Sequence, residues 1–184
     1  MKLAVIDIET TGFLEQNGKI VEIGIVELDL DNGNIEPLLH YVCYEDGITK
    51  EEIANSWIIK NSNLTAKQIR FGINLNILKS KIQTIANEYS ITAFNRVFDI
   101  SFLIAKLGIE FTNLYPCPML ELTPIMKLPG KRGYKWPNVN EAYKYFFPNS
   151  DYNEKHRALD DATHEAEIIY KLHLLKQNNN ELCL

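Results

Sequence analysis

No apolar run in this chain approaches the roughly 18 residues that a membrane-spanning helix requires, so no transmembrane segment is expected. Cysteine is scarce: Cys43, Cys117 and Cys183 share no metal-ligand spacing. Their odd number, with no signal peptide in sight, points to a reducing cytoplasm. Basic charge is scarce too. Nineteen Lys and Arg stand against 24 Asp and Glu, for a net charge of −5. This speaks against the broad basic footprint of most nucleic-acid binders. It does not speak against an enzyme that reaches phosphate through metal ions, which can be the largest local charges in a site. Repeats, linkers and low-complexity blocks are also missing. What is present is 184 residues, 46% of them hydrophobic. That length suits one domain over 1–184, with a tail expected to fray from about 178.

The most informative stretch is Leu3–Gly12, LAVIDIETTG. Val5, Ile6 and Ile8 favour a strand. Alternation puts Leu3, Val5, Asp7 and Glu9 on one face and Ala4, Ile6 and Ile8 on the other. Both faces begin apolar, as in a central strand covered on both sides. One of them ends in two carboxylates. Neighbouring anions on a buried strand repel each other and lose hydration, at several kcal/mol per unpaired ion. A divalent cation would remove both penalties. Alone, the pair reads equally as a strand end reaching into solvent.

Further along, Lys19–Leu30 is strongly β-like, Asp31–Asn34 carries an Asn-Gly hairpin signal, and Ile35–Tyr44 reads as the return strand with Pro37 at an edge. The first three strands thus form an antiparallel meander. Ile48–Lys60 is expected to be helical, with Thr49 as N-cap, and Thr65–Arg70 to be a short helix. Gly72–Tyr89 reads as one longer helix, Ile91–Phe94 as a short strand, and Asn95–Leu107 as a helix stopped by Gly108. Pro116–Leu122 suggests a strand between prolines. Leu128–Lys135, with Lys127, Lys131, Arg132 and Lys135, reads as a flexible basic loop. Pro137 is placed as the first residue of a helix running to about Phe147, and Ala158–Gln177 as a long amphipathic helix. Strands early and helices alternating with strands later fit a layered α/β domain.

More acids fall on apolar faces. Asp99 interrupts VFDISFLIAKL, where a helix-start acid is the simple alternative. Asp161 lines up with Ile168, Leu172 and Leu175 on the apolar stripe of the last helix, so it should face inward. Asp160 points elsewhere and is expected to be solvated. His156 lies in the loop before that helix, either an ordinary loop histidine or a mobile general base.

Together these residues form three ordered motifs: IDIETTG at Ile6–Gly12, FNRVFD at Phe94–Asp99 and HRALDD at His156–Asp161. In this the sequence resembles the DEDDh-type 3′–5′ exonucleases, the family of the proofreading subunit of the bacterial replicative polymerase. KWPNVNEAYKYFF also looks like the segment that precedes the third motif in many members. The resemblance implies an RNase H-like three-layer α/β fold, a five-stranded mixed sheet with helices on both sides. It implies that Asp7, Glu9, Asp99 and Asp161 bind two divalent metal ions, Mg²⁺ or Mn²⁺, with His156 as general base. Carboxylate oxygens suit such hard cations, and two of them roughly 3.5–4 Å apart support an in-line displacement. The implied substrate is the 3′ end of single-stranded DNA or RNA, and the product a nucleoside 5′-monophosphate. A polymerase or another protein that delivers the strand is an implied partner; oligomeric state stays open.

By position in the family, Thr10 would lie near the terminal sugar and Phe13 against the last base, with Asn95 and Phe98 completing the substrate contacts. For Phe98, core packing is an equal alternative. Phe94 departs from the pattern, because many relatives carry histidine there. It is not a metal ligand in the family, so activity is expected to survive. His164 sits inside the last helix and is expected to be partly exposed. His40 and His173 show no constellation. Trp57 and Trp136 are expected in the core. The basic cluster at Lys127–Lys135 reads as a solvated loop or as a guide for a phosphate backbone. Two competing functions are a non-catalytic accessory module that binds a polymerase or nucleic acid through a decayed site, and a structural domain whose acids lie apart.

Overall fold

A computed structural model describes residues 1–181, and the final residues 182–184 lie outside it, with that part of the tail expected to fray. The chain opens with the antiparallel strands β1 (Lys2–Thr10), β2 (Ile20–Asp29) and β3 (Ile35–Tyr44). The Asp31–Asn34 turn joins the last two, with Gly33 at φ 79° where an L side chain would be strained. Pro37 lies on the part of β3 that pairs only with β2, so its missing N–H costs no ladder bond to a further strand.

Helices α1 (Lys50–Asn55), α2 (Trp57–Asn61) and α3 (Ala66–Arg70) follow. Thr49 caps α1 as expected, and Glu52 completes a capping box. The helix expected over 48–60 is divided at Ser56, which takes extended backbone angles and donates its hydroxyl to the Ile53 carbonyl. The single helix expected over 72–89 is also divided. Ile73–Asn74 forms β4 beside Cys43–Tyr44 of β3, Leu75–Leu78 makes a 3₁₀ turn, and only Lys79–Glu88 is helical, as α4. Asn74 explains the break: its side chain accepts the Asn76 N–H and competes with helix propagation.

Strand β5 (Ser90–Thr92) leads into α5 (Arg96–Leu107), which Gly108 ends at φ 60°. The next segment corrects the strand expected over Pro116–Leu122. It is helix α6 (Pro118–Met126), with Pro118 in the first turn. Met, Leu and Glu are strong helix formers and Pro at that position is pre-organised for a helix, which outweighs the proline bracket. The expected loop at 128–135 is a hairpin, β6 (Pro129–Gly130) with β7 (Gly133–Tyr134), turned by Lys131 and Arg132. Helix α7 (Val139–Phe146) starts two residues later than Pro137, because Asn138 and Glu141 form a capping box there. Helix α8 (Ala158–Glu181) runs past the expected boundary at Gln177.

The main sheet has the order β4-β3-β2-β1-β5, with β5 parallel to β1. This is the five-stranded mixed sheet expected, and helices cover both faces. Leu3 and Val5 of β1 pack with Ala162, Ala166 and Ile169 of α8. Ala4, Ile6 and Ile8 pack on the other side with Phe102 and Leu103 of α5 and Ile82 and Ile85 of α4. The apolar alternation of β1 therefore decides which helix meets which face. No helix among the described residues is long and apolar enough to cross a membrane.

Candidate functional site

Asp7 and Glu9 continue the face of β1 that Leu3 and Val5 bury against α8, and the first turns of α8 meet them there. That approach depends on Gly24, the β2 partner of Asp7. A Cβ at Gly24 would lie 2.4 Å from the Ala158 carbonyl and the Leu159 nitrogen. Only glycine lets the helix start this close to the sheet. Asp161, one turn into α8, is 1% exposed, as its place on the apolar stripe requires. Its carboxylate accepts N–H bonds from Arg157 at 2.7 Å and Lys155 at 3.3 Å, and the Tyr152 hydroxyl at 3.0 Å.

Asp99 arrives from the opposite side of the sheet. Strand β5 pairs with β1 only as far as Val5, which leaves the Ile8 N–H beyond the end of the ladder. Asp99, in the first turn of α5, accepts that N–H at 3.2 Å and is buried. The acid thus bonds the residue between Asp7 and Glu9.

These groups crowd one another. Burial pushes the Asp7 carboxyl well up, and the charges of Glu165, Glu9, Asp99 and Asp161 push it further. Burial, then Asp161 and Glu22, raise Glu9 to about 9. Burial raises Asp99 to about 8 against the opposing pull of the Ile8 N–H. Asp161 is raised by burial despite its three donors. The Oδ2 atom of Asp7 is enclosed and accepts no hydrogen bond. A buried acceptor without a donor is costly in a native site, and hard oxygen atoms held without donors fit a divalent cation. The ligand atoms of Glu9, His156 and Asp161 lie within 4.8 Å of one another.

His156 is placed by its neighbours. It has φ 54°, a left-handed conformation unusual for a non-glycine residue. The N–H groups on either side, of Lys155 and Arg157, both go to Asp161. The Arg157 guanidinium is held bidentately by Glu22, at 2.9 Å from both Nε and Nη2. His40 bonds the same buried carboxylate at 2.8 Å, so His40 does belong to a constellation, contrary to expectation. His156 packs edge-on against the Trp57 ring with centroids 4.6 Å apart.

Beside the acids lies a cavity of about 350 Å³ lined by Glu9, Thr10, Phe13, Trp57 and Phe98. Three of the expected substrate contacts meet there. Asn95 instead lines a neighbouring cavity of about 410 Å³, which shares Phe13 and Phe98 with the first. Phe98 takes both of its open roles, packing on Phe102 at 5.0 Å and facing the cavities. Trp57 and Trp136 correct the expectation of core positions. They are 55% and 64% exposed, one on each cavity. Phe94 is buried with Cys117, Met119 and Leu122, and the site touches only its backbone, through Glu165, which accepts its N–H at 3.1 Å. Asp160 is not simply solvated, since Lys155 reaches it at 2.7 Å. His164 is partly exposed, as expected, and stacks on Tyr152 at 3.9 Å.

Sequence reasoning missed Glu165, Glu154 and the Glu22–Arg157 pair. Glu165 was within reach: it follows Asp161 by four residues on the same inward stripe. Glu154, raised by burial and Asp161 to about 7, sits in a loop with no periodicity to expose it.

Residues 4–169 match the RNase_T family model, described as Exonuclease. The chain belongs to this exonuclease family. Divalent metal use, which the family implies, agrees with the enclosed Asp7 Oδ2 and with the close grouping of Glu9, His156 and Asp161. Among curated proteins this exonuclease chain is similar to a PolC-type DNA polymerase III from Clostridium perfringens, 24% identical over 168 residues. The match covers 90% of this chain but 11% of that protein, so the chain spans about a ninth of its relative's length. Among solved structures it is similar to E. coli Exonuclease I in complex with a dA16 oligonucleotide, with a TM-score of 0.68, 12% identity, and 92% and 40% of the two chains covered. It is also similar to the nuclease domain of 3′hExo, described as a DEDDh family member bound to rAMP, with a TM-score of 0.53, 18% identity, and 93% and 90% coverage. At these identities the structural likeness establishes the fold, which is RNase H-like.

Proposed function

We propose that this exonuclease is of the DEDDh type. It removes nucleotides from the 3′ end of single-stranded DNA or RNA and releases nucleoside 5′-monophosphates. In this reading Asp7, Glu9, Asp99 and Asp161 hold two divalent ions, Mg²⁺ or Mn²⁺. What such a pair supplies is stabilisation of charge in an in-line displacement at phosphorus. The protein's own part is positional. Thr10, Phe13, Phe98 and Trp57 hold the terminal nucleotide beside Glu9, with Asn95 on the strand that follows. His156 takes a proton from the attacking water as the phosphorus–O3′ bond breaks. A residue whose flanking N–H groups both bond Asp161, with its ring edge-on to Trp57, loses little freedom in reaching that geometry.

The observation that carries the reading is the enclosed, donor-free Asp7 Oδ2 among four further acids, of which Asp99, Asp161 and Glu165 are buried and Glu9 half-buried. The chain works as one domain in the cytoplasm, and the PolC-type relative suggests a setting in which a polymerase delivers the strand.

The test is release of mononucleotides from end-labelled single strands with Mg²⁺ or Mn²⁺. Asp7→Ala and Asp7→Asn should each lower turnover by about a thousandfold or more, since several kcal/mol of transition-state stabilisation are lost. Normal turnover in variants whose folding is verified by circular dichroism would defeat the assignment, and an inactive wild type would favour an accessory module.

A further inference from the structure

The chemistry proposed above makes no use of Glu22, a fully buried carboxylate. Glu22 stands opposite Glu9 across the β1–β2 ladder, so both side chains leave the sheet on one face. Two carboxylates this placed need a cation close by. Arg157 supplies it from the residue before α8. Its Nε lies 2.9 Å from one Glu22 oxygen and its Nη2 lies 2.9 Å from the other, a fork that an ammonium group cannot reproduce. Its Nη1 donates to the Asn63 side chain at 2.6 Å, and Asn63 follows α2, the helix that Trp57 opens. The main chain of Arg157 is also held: its N–H goes to the Asp161 carboxylate at 2.7 Å, and its carbonyl accepts the Asp161 N–H at 2.9 Å. A buried ion pair is poor evidence of stability, because desolvation offsets much of the attraction. This one has a local consequence instead. His156, the preceding residue, has φ 54°, which a non-glycine residue keeps only where its surroundings over-determine it. Those surroundings are the anchored Arg157 on one side and the Lys155 N–H bond to Asp161 on the other. The same guanidinium ties down the segment behind Trp57, against whose ring His156 packs. Both partners of that contact therefore depend on one side chain.

We propose that Arg157, seated on Glu22, is a positioning residue for the exonuclease centre. It holds His156 in its left-handed conformation and against Trp57, so that the imidazole stands beside Glu9 and Asp161 without rearrangement. The inference rests on the reading of His156 as general base. It assigns the fixing of that base to a side chain whose own hydrogen bonds go to Glu22 and Asn63. Neutralising Glu22 alone would need only a positive charge, and would leave the fork and the Asn63 contact without a purpose.

The readout is the NOE between the Trp57 and His156 rings in the metal-free full chain, taken with the Tm and with the kinetics of single-strand hydrolysis. Wild type should show the NOE, since the ring centroids lie 4.6 Å apart. Arg157→Met leaves the Glu22 carboxylate buried without its cation, so it should lower the Tm as well as kcat. Combining it with Glu22→Met separates the two effects. An apolar pair of similar volume should bring the Tm back to about the wild-type value. The NOE should stay absent, and kcat should stay about tenfold to a hundredfold down with KM changed far less. Asn63→Ala keeps Glu22 paired, and should weaken the NOE and lower kcat by a smaller factor. Recovery of turnover together with the Tm in the double variant would overturn the proposal and make the pair a packing device. So would an NOE that survives in every folded variant. If the double variant does not regain its Tm, Asn63→Ala decides, and an unchanged NOE and kcat there would overturn the proposal. A wild type that hydrolyses no strand would refute the exonuclease reading, while the NOE would still decide whether Arg157 fixes the conformation of His156.

Discussion

Asp99 keeps its place through the Ile8 N–H, and Asp7 Oδ2 has no donor at all. Such carboxyls favour the protonated form, and this gives metal-free stability a definite pH dependence. Unfolded Asp and Glu titrate near 4, whereas here Asp99 is raised to about 8, Glu9 to about 9 and Glu154 to about 7. Between those limits the folded chain binds more protons than the unfolded one, so stability falls as pH rises. In EDTA the Tm should therefore drop steadily from about pH 5.5 to 9, a window in which exposed carboxylates are already ionised in both states. Mn²⁺ should raise the Tm more at pH 8 than at pH 5.5, because at low pH it must displace protons. Calorimetry across this range checks it; a flat metal-free profile would contradict the crowding of these acids. At this scale the sequence was readable where periodicity constrains a side chain. Asp161 on its stripe is the example. It was unreadable for Trp57 and Trp136, since apolar character alone does not say which side of a surface a ring occupies.

The elements matter through how closely they approach. Helix α8 starts against Gly24, and that contact sets where Asp161 and the His156 loop stand relative to Asp7. Gly24→Ala would place a methyl 2.4 Å from backbone atoms, which no rotamer change relieves. The first turn of α8 has to shift. We expect a loss of about 1–3 kcal/mol in urea denaturation and a fall in turnover of about tenfold to a hundredfold, with every acid still present. Unchanged activity would mean that the site does not depend on this contact. Most elements were legible from caps and periodicity, as with Thr49 and Gly108. Those that were not share a cause. In α6 strong helix formers outweighed prolines, at Asn74 and Ser56 a polar side chain interrupted an apolar pattern, and at Asn138 a capping box moved the start. Each is a local competition whose outcome depends on one side-chain hydrogen bond or one propensity difference.

For the whole molecule, the topology joins what the sequence separates. Antiparallel pairing of β1 with β2 and parallel pairing with β5 leave β1 central, so helices on both faces can deliver acids to its end: Asp161 from α8 and Asp99 from α5. The meander and the alternation on β1 were visible in advance. The convergence was visible only through the three motifs, because no local rule links residues 7, 99 and 161. In the proposed reading, net charge −5 and an acidic centre leave cations as the means by which this exonuclease would tolerate a phosphate. The most direct measurement is anomalous scattering from a crystal soaked in Mn²⁺. The account predicts manganese peaks bounded by Asp7, Glu9, Asp99 and Asp161. Peaks confined to surface acids, or none at saturating Mn²⁺ near pH 8, would contradict it.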